Sequence, residues 1–330
     1  MSYREISIII LFIMTFVITG CHTNESNNKS GLIEVDSVET TYDQPYIVVL
    51  GTAQDAGYPQ IGCQKDCCKD LWDNEDQRKM VSCIGLVDPI SDERWIFDAT
   101  PNFPDQVDLI NQVAETQRDK LPSGIFLTHA HIGHYTGLMH LGREAFGAKD
   151  MPVYAMPKMT SYLTNNGPWS QLVTLNNIDL KILEDAQSIQ LNERLNVTPF
   201  RVPHRDEYSE TVGYKIESQN KSAIFIPDIN KWGDWNQDIN MVIAENDMAF
   251  LDGSFYKNGE IPNRDMSQIP HPFIEESMSQ FESLSDVDKK KVLFIHFNHT
   301  NPVLRKDSDA TKEVEMAGYR IAREREIYEL

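Results

Sequence analysis

The segment Leu127-Thr128-His129-Ala130-His131-Ile132-Gly133-His134 carries three imidazoles at i, i+2 and i+5, directly after an apolar run. In an extended loop, side chains two apart face the same way, so His129 and His131 can grip one ion. His134, on the following turn, can face a second ion nearby. Neutral imidazole suits zinc, iron, nickel or copper. Three further metal-capable residues follow apolar runs: His204 after Phe200-Arg-Val-Pro203, Asp228 after Ala223-Ile-Phe-Ile-Pro227, and His296 after Lys291-Val-Leu-Phe-Ile295. Each alone reads as an ordinary surface or core residue. Together they read as strand-end ligands, held where loops carry function on a rigid scaffold.

The elements that must position these residues are legible in part. Tyr46–Gly51, Ser82–Val87, Trp95–Asp98 and Gly124–Thr128 read as strands. Pro104–Thr116 has the apolar spacing of an amphipathic helix, and Gly137–Phe146 reads as another, with His140 within it. Short alternating strands are expected between Asp179 and Ile226. Gln237–Glu245 and Ile274–Leu284 read as helices, and Met248–Leu251 and Lys291–His296 as strands. Two similar sheets packed face to face with helices outside satisfy this order.

The chain has 330 residues with 30 basic and 50 acidic side chains, a net charge of −20, 41% hydrophobic residues and 5 cysteines. Ordinary globular composition excludes disordered and fibrous classes. The acidic balance excludes nucleic acid as the expected partner, because a phosphate backbone is held by Lys and Arg. Residues Ile6 to Ile18 form an apolar run of signal-peptide length, ending in Ile18-Thr19-Gly20-Cys21, which resembles a bacterial lipobox. The expectation is an export signal over 1–20, lipid on Cys21, a flexible tether over 21–44 and a folded domain over 45–330. That places the domain in the bacterial cell envelope, on the periplasmic or extracellular side, with its membrane contact through the Cys21 lipid.

The order strand–HxHxxH, His, Asp, His resembles the metallo-β-lactamase superfamily, whose fold is a four-layer αββα sandwich of the α/β class. A narrower likeness is to its coenzyme PQQ biosynthesis B-type members. It is carried by Gly51-Thr-Ala-Gln-Asp-Ala-Gly-Tyr-Pro-Gln60, Phe97-Asp-Ala-Thr-Pro101, Leu251-Asp-Gly-Ser-Phe255 and His296-Phe-Asn-His-Thr-Asn-Pro302. The resemblance implies that His129, His131 and His204 hold a first ion, that His134 and His296 hold a second, and that Asp228 lies between them. The implied cofactor is zinc, one or two ions, with iron or manganese as alternatives. Gly133 departs from the pattern, since most two-metal members have Asp there. The second site is therefore weak, empty, or completed by another group such as Asp55.

The implied activity is metal-dependent hydrolysis of a small-molecule ester, lactam or phosphodiester-type bond, with Asp228 orienting or deprotonating the attacking water. The alternatives are an oxidative or transport role related to PQQ biosynthesis, and a metal- or ligand-binding lipoprotein without turnover. Asp98 is expected to orient a ligand His or to cap a turn, and His299 to contact substrate or hold its own turn. Cys63, Cys67 and Cys68 resemble the group's structural zinc motif at altered spacing, with His271 as a possible fourth ligand. A disulfide and buried free thiols remain the alternatives there. Trp232 and Trp235 read as core anchors or as walls of the site's mouth.

Overall fold

The first β-branched run sets the pattern for the whole fold. In β1 (Tyr46–Gly51) every residue is buried. Its side chains alternate: Tyr46, Val48 and Leu50 join one apolar cluster, and Ile47 and Val49 join another. A strand covered on both faces has to be apolar throughout, and the two-residue period then decides which side chain meets which layer. The same alternation recurs in the second half of the chain, where Ile224 and Ile226 face one cluster and Ala223 and Phe225 the other.

A computed structural model describes residues 42–330. The expected export signal, Cys21 and the tether up to residue 41 lie outside the described residues. Tyr42 packs against Tyr46, with tilted rings whose centroids are 4.9 Å apart. Among the described residues no helix is long and apolar enough to cross a membrane.

The remaining strands are β2 (Cys83–Asp88), β3 (Glu93–Phe97), β4 (Gly124–Phe126), β5 (Met151–Ala155), β6 (Ile178–Ile182), β7 (Ile189–Gln190), β8 (Asn196–Arg201), β9 (Val212–Glu217), β10 (Ser222–Ile226), β11 (Met248–Asp252), β12 (Val292–Ile295), β13 (Arg320–Ile321) and β14 (Ile327–Glu329). They make two seven-stranded sheets, ordered β14-β1-β2-β3-β4-β5-β6 and β13-β12-β11-β10-β9-β8-β7. The last strand therefore returns to close the edge of the first sheet, pairing Val48 with Ile327. Helix α1 (Phe103–Val113) helps cover the outer face of the first sheet, and its Phe103, Val107 and Ile110 are buried there. Between the sheets lies a third cluster, rich in Phe97, Phe126, Tyr214, Phe225 and Phe250. Phe97 and Phe126 stack at 5.0 Å, and Tyr214 meets both edge-on. The expected αββα sandwich is the observed architecture.

One expected helix is different. Instead of a helix over Gly137–Phe146, a single α-turn, α2 (Ile132–Tyr135), precedes a 3₁₀ stretch over Thr136–Leu141. Gly137 packs so tightly that a Cβ there would lie 2.2 Å from the Thr100 carbonyl oxygen. Close packing of this turn against the β3–α1 loop has overridden local helix propensity. His140 consequently sits in the 3₁₀ stretch, half-buried.

Phe225 fills the inter-sheet layer and lies far along the chain from every candidate ligand except Asp228. Phe225→Ala should destabilise the fold by about 3–5 kcal/mol, read as a lower denaturation midpoint in urea. A change under about 1 kcal/mol would mean that this layer is not the close-packed core described.

Candidate metal centre

Strands end together at one rim of the sandwich, and the loops that follow them carry the candidate residues. The Phe97–Asp98 junction ends β3, and Asp98 N–H donates to the Phe126 carbonyl at the end of β4. Asp98 takes a left-handed φ of 72° and His296, just past β12, a φ of 67°. Non-glycine residues rarely sit there, at a cost of roughly 1–3 kcal/mol each, and they concentrate where surrounding contacts over-determine them.

The sequence-expected ligands converge. His129, His131 and His204 each offer a ring nitrogen, all within 4.8 Å of one another. His129 Nε2 faces His131 Nδ1 at 2.8 Å. Beside them, Asp55, His134, Asp228 and His296 form a second set under the same criterion. Asp228 lies between the two sets: it is 2.9 Å from His134 Nε2, 3.2 Å from His296 Nε2, 3.8 Å from His129 Nε2 and 3.7 Å from His204 Nε2.

Except in His204, the outward nitrogens of these rings are held by neighbours, which fixes which nitrogen faces the cluster. His134 Nδ1–H donates to Asp98 Oδ2 at 2.7 Å. The Thr128 hydroxyl donates to Asp98 and accepts from His129 Nδ1–H at 2.9 Å. His296 Nδ1 meets Ser254 Oγ at 3.0 Å, and His131 Nε2 meets Glu207 Oε2 at 3.3 Å. Asp98 thus orients one ring directly and another through Thr128, while also accepting the Thr128 N–H. Asp98 stands as a ring orienter, and the N–H it accepts is that of Thr128, in the loop after β4, not one in a turn of its own.

Charge and burial divide the two sets. Burial, with the nearby His134, holds His129 well below the usual imidazole range, and burial lowers His131. Burial likewise takes His204 down to about 4. These rings are neutral at pH 7, the form that binds metal. In the second set burial opposes charge, but carboxylates win: Asp98, Asp228 and Asp55 hold His134 well above its ordinary value. Burial alone would raise Asp228 and Asp55, yet the surrounding imidazoles hold both well below the usual carboxylate range. A buried set of carboxylates this dense needs positive charge between them.

The donor set fits a metal by an independent observation. Both ring nitrogens of His204 and Asp228 Oδ2 are buried without a hydrogen-bond partner. Unpaired buried polar atoms are costly, and a cation coordinated there would satisfy Asp228 Oδ2 and one His204 nitrogen.

Several placements correct the sequence reading. His271 is not near the cysteines. It lies buried in the centre, where its Nδ1–H donates to Asp252 Oδ2 at 2.7 Å and stands 3.5 Å from Asp228 Oδ1. Burial opposes its charge, but Asp252 pushes it up to about 8. The Ile269-Pro-His-Pro272 setting gave no hint of this, because a long connection between β11 and β12 brings it back. His299 belongs to neither ligand set and is half-buried near Lys65 of the cysteine loop. Trp232 and Trp235 are core anchors, donating to Ser277 Oγ and to the Arg201 carbonyl. Asp252, Ser254, Thr128 and Glu207 were missed. Asp252 had a usable signal, since Leu251-Asp-Gly-Ser ends a strand as Phe97-Asp-Ala-Thr does.

Cys63, Cys67 and Cys68 bring their sulfurs within 4.8 Å of one another as free thiols, with Cys63 and Cys67 3.7 Å apart. They could fill three corners of a tetrahedral zinc site. Cys83 is apart from them, buried in β2.

Residues 93–297 match a family model described as a beta-lactamase superfamily domain. Among curated proteins, coenzyme PQQ synthesis protein B of Methylorubrum extorquens is 25% identical over 304 residues, spanning 84% of this chain and 97% of that protein. The protein of that name from Methylobacillus flagellatus is 26% identical over 302 residues, with the same coverage. Among solved structures, zinc-bound PqqB from Methylobacterium extorquens has a TM-score of 0.72 at 22% identity, covering 86% of this chain and all of that one. A diphosphatase of the PhnP family has a TM-score of 0.60 at 21% identity, covering 87% of this chain and 97% of that one.

Elemental analysis of the purified protein should find metal that His129→Ala combined with His131→Ala removes from this centre. Asp98→Asn should weaken metal binding by about 10–100-fold, because it frees two rings to turn. Metal content unchanged in the double histidine variant would refute the assignment of these rings.

Proposed function

The chain belongs to the metallo-β-lactamase superfamily, and on that premise we propose that it is a metal-dependent hydrolase of a small molecule. The observation that carries this reading is Asp228, which stands between three neutral imidazoles on one side and a carboxylate–imidazole set on the other. His129, His131 and His204 would hold one ion, and His134, His296 and Asp228 a second; zinc leads, with iron or manganese as alternatives. Ions bound there would lower the pKa of a coordinated water to about 7 and polarise a carbonyl or phosphoryl oxygen of the substrate. With two ions bound Asp228 would orient the attacking water; with one it would serve as the base that takes its proton. His271, gripped by Asp252 and 3.5 Å from Asp228, is the group that can hold a proton for the leaving atom. Asp98 and Asp252 keep these rings in place and do not touch substrate.

The bond cleaved is of the ester, lactam or phosphodiester type. A net charge of −20 weighs against a nucleic-acid substrate. Lipidation at Cys21, outside the described residues, would tether the domain to the cell envelope.

A second reading is supported by the relatives' shared name, coenzyme PQQ synthesis protein B. On it, the same centre would serve an oxidative or transport step of cofactor synthesis. Metal-dependent oxygen consumption with no hydrolysis would favour it.

Turnover of chromogenic ester, lactam and phosphodiester substrates separates these readings. The expected result is hydrolysis of at least one, lost on chelation and restored by metal. His271→Asn, which keeps a donor for Asp252, should lower kcat by about 10²–10⁴-fold with metal content unchanged. No metal-dependent turnover across the panel would sink the hydrolase reading and leave the cofactor-synthesis role or a binding protein.

A further inference from the structure

Gly133 and Asp55 compete for one volume. A Cβ built on Gly133 would lie 2.5 Å from Asp55 Cα, 2.6 Å from its Cβ and 2.7 Å from its Cγ. Contacts that short do not occur, so no side chain fits at 133 while Asp55 is where it is. The backbone does not require glycine there, because Gly133 is not among the residues of positive φ. Space alone requires it.

What fills that space is a carboxylate aimed at the cluster. Asp55 Oδ1 lies 3.1 Å from His134 Nε2 and 3.3 Å from His296 Nε2. Asp228 Oδ2 lies 2.9 and 3.2 Å from the same two nitrogens. Four ligand atoms at these separations are near the edges of a tetrahedron around one ion, which are about 3.4 Å for bonds of about 2.1 Å. The loop that delivers Asp55 is stitched to the His296 segment rather than floating beside it. Gln54 N–H donates to the Phe297 carbonyl and Phe297 N–H to the Thr52 carbonyl, both at 2.8 Å. Asn298 Nδ2 donates to Gln54 Oε1 at 2.6 Å.

We propose that Asp55, carried by the loop after β1, is the fourth ligand of the second ion, and that Gly133 is bare so that the loop bearing this carboxylate can approach. The centre is then a full two-ion site whose carboxylate comes from a different element of the fold, not a weakened one. This inference rests on the metal-centre reading above and deepens it.

Manganese titration of the chelator-stripped full chain tests it, since thiolates bind manganese poorly and the cysteine cluster stays out of the count. The wild-type chain should bind two equivalents. Asp55→Ala, and Asp55→Asn of nearly the same shape, should each bind one. Gly133→Asp alone should bind one or fail to fold, since its side chain has nowhere to go. Two equivalents at unchanged affinity in both single Asp55 variants would overturn the inference while leaving the first ion and the proposed function standing. A wild-type chain that binds neither manganese nor zinc would instead remove the metal-centre reading itself.

Discussion

The buried carboxylate of Asp98 is the constraint on which the centre depends. It is fully buried, and an uncompensated charge there would cost several kcal/mol. Its compensation comes from the Thr128 N–H, the Thr128 hydroxyl and His134 Nδ1–H. Those same contacts tie β3 to the histidine loop after β4, and they turn His134 and His129 so that their Nε2 atoms face inward. The left-handed backbone at Asp98 is tolerated because so many bonds hold it. The second sheet repeats the device. Asp252 ends β11, is fully buried, and holds His271, the Ile229 N–H and the Ser254 N–H, with Ser254 in turn meeting His296. Each sheet therefore supplies one rigid carboxylate that aims the imidazoles of its own rim.

This arrangement explains why the functional groups stand at the strand ends. Strands buried on both faces spend their side chains on the three apolar layers, leaving only the loops free for polar residues. Once several loops at one rim turn polar groups inward, burial disfavours isolated charge. Burial lowers the imidazoles of the first set, while the carboxylates of the second raise His134. A divalent cation between them resolves both demands at once, which is why the hydrolase reading follows more from electrostatics than from shape.

The sequence carried the sandwich and most of the centre. Period-two alternation in runs such as Tyr46–Gly51 and Ala223–Ile226 is a local signal, and the HxHxxH spacing is another. Gly137–Phe146 misled because tight packing at Gly137, a tertiary fact, suppressed the helix that the local pattern suggested. His271 misled for a related reason. Its partners Asp252 and Asp228 are distant in the chain, so proximity to the cysteines could not be judged from spacing. Asp55 was visible as a candidate only through the loop motif around Gly51. Its conflict with any side chain at Gly133 exists only in three dimensions, and that conflict turns an apparent defect of the motif into a structural requirement.

The central claim is that two ions sit at this rim with Asp228 between them. Anomalous X-ray diffraction from crystals grown with manganese locates them directly. The account predicts two peaks about 3.5–4 Å apart, one ringed by His129, His131 and His204, the other by Asp55, His134 and His296, with Asp228 facing both. Manganese found only at surface carboxylates, with His204 and Asp228 bonded to water alone, would contradict it.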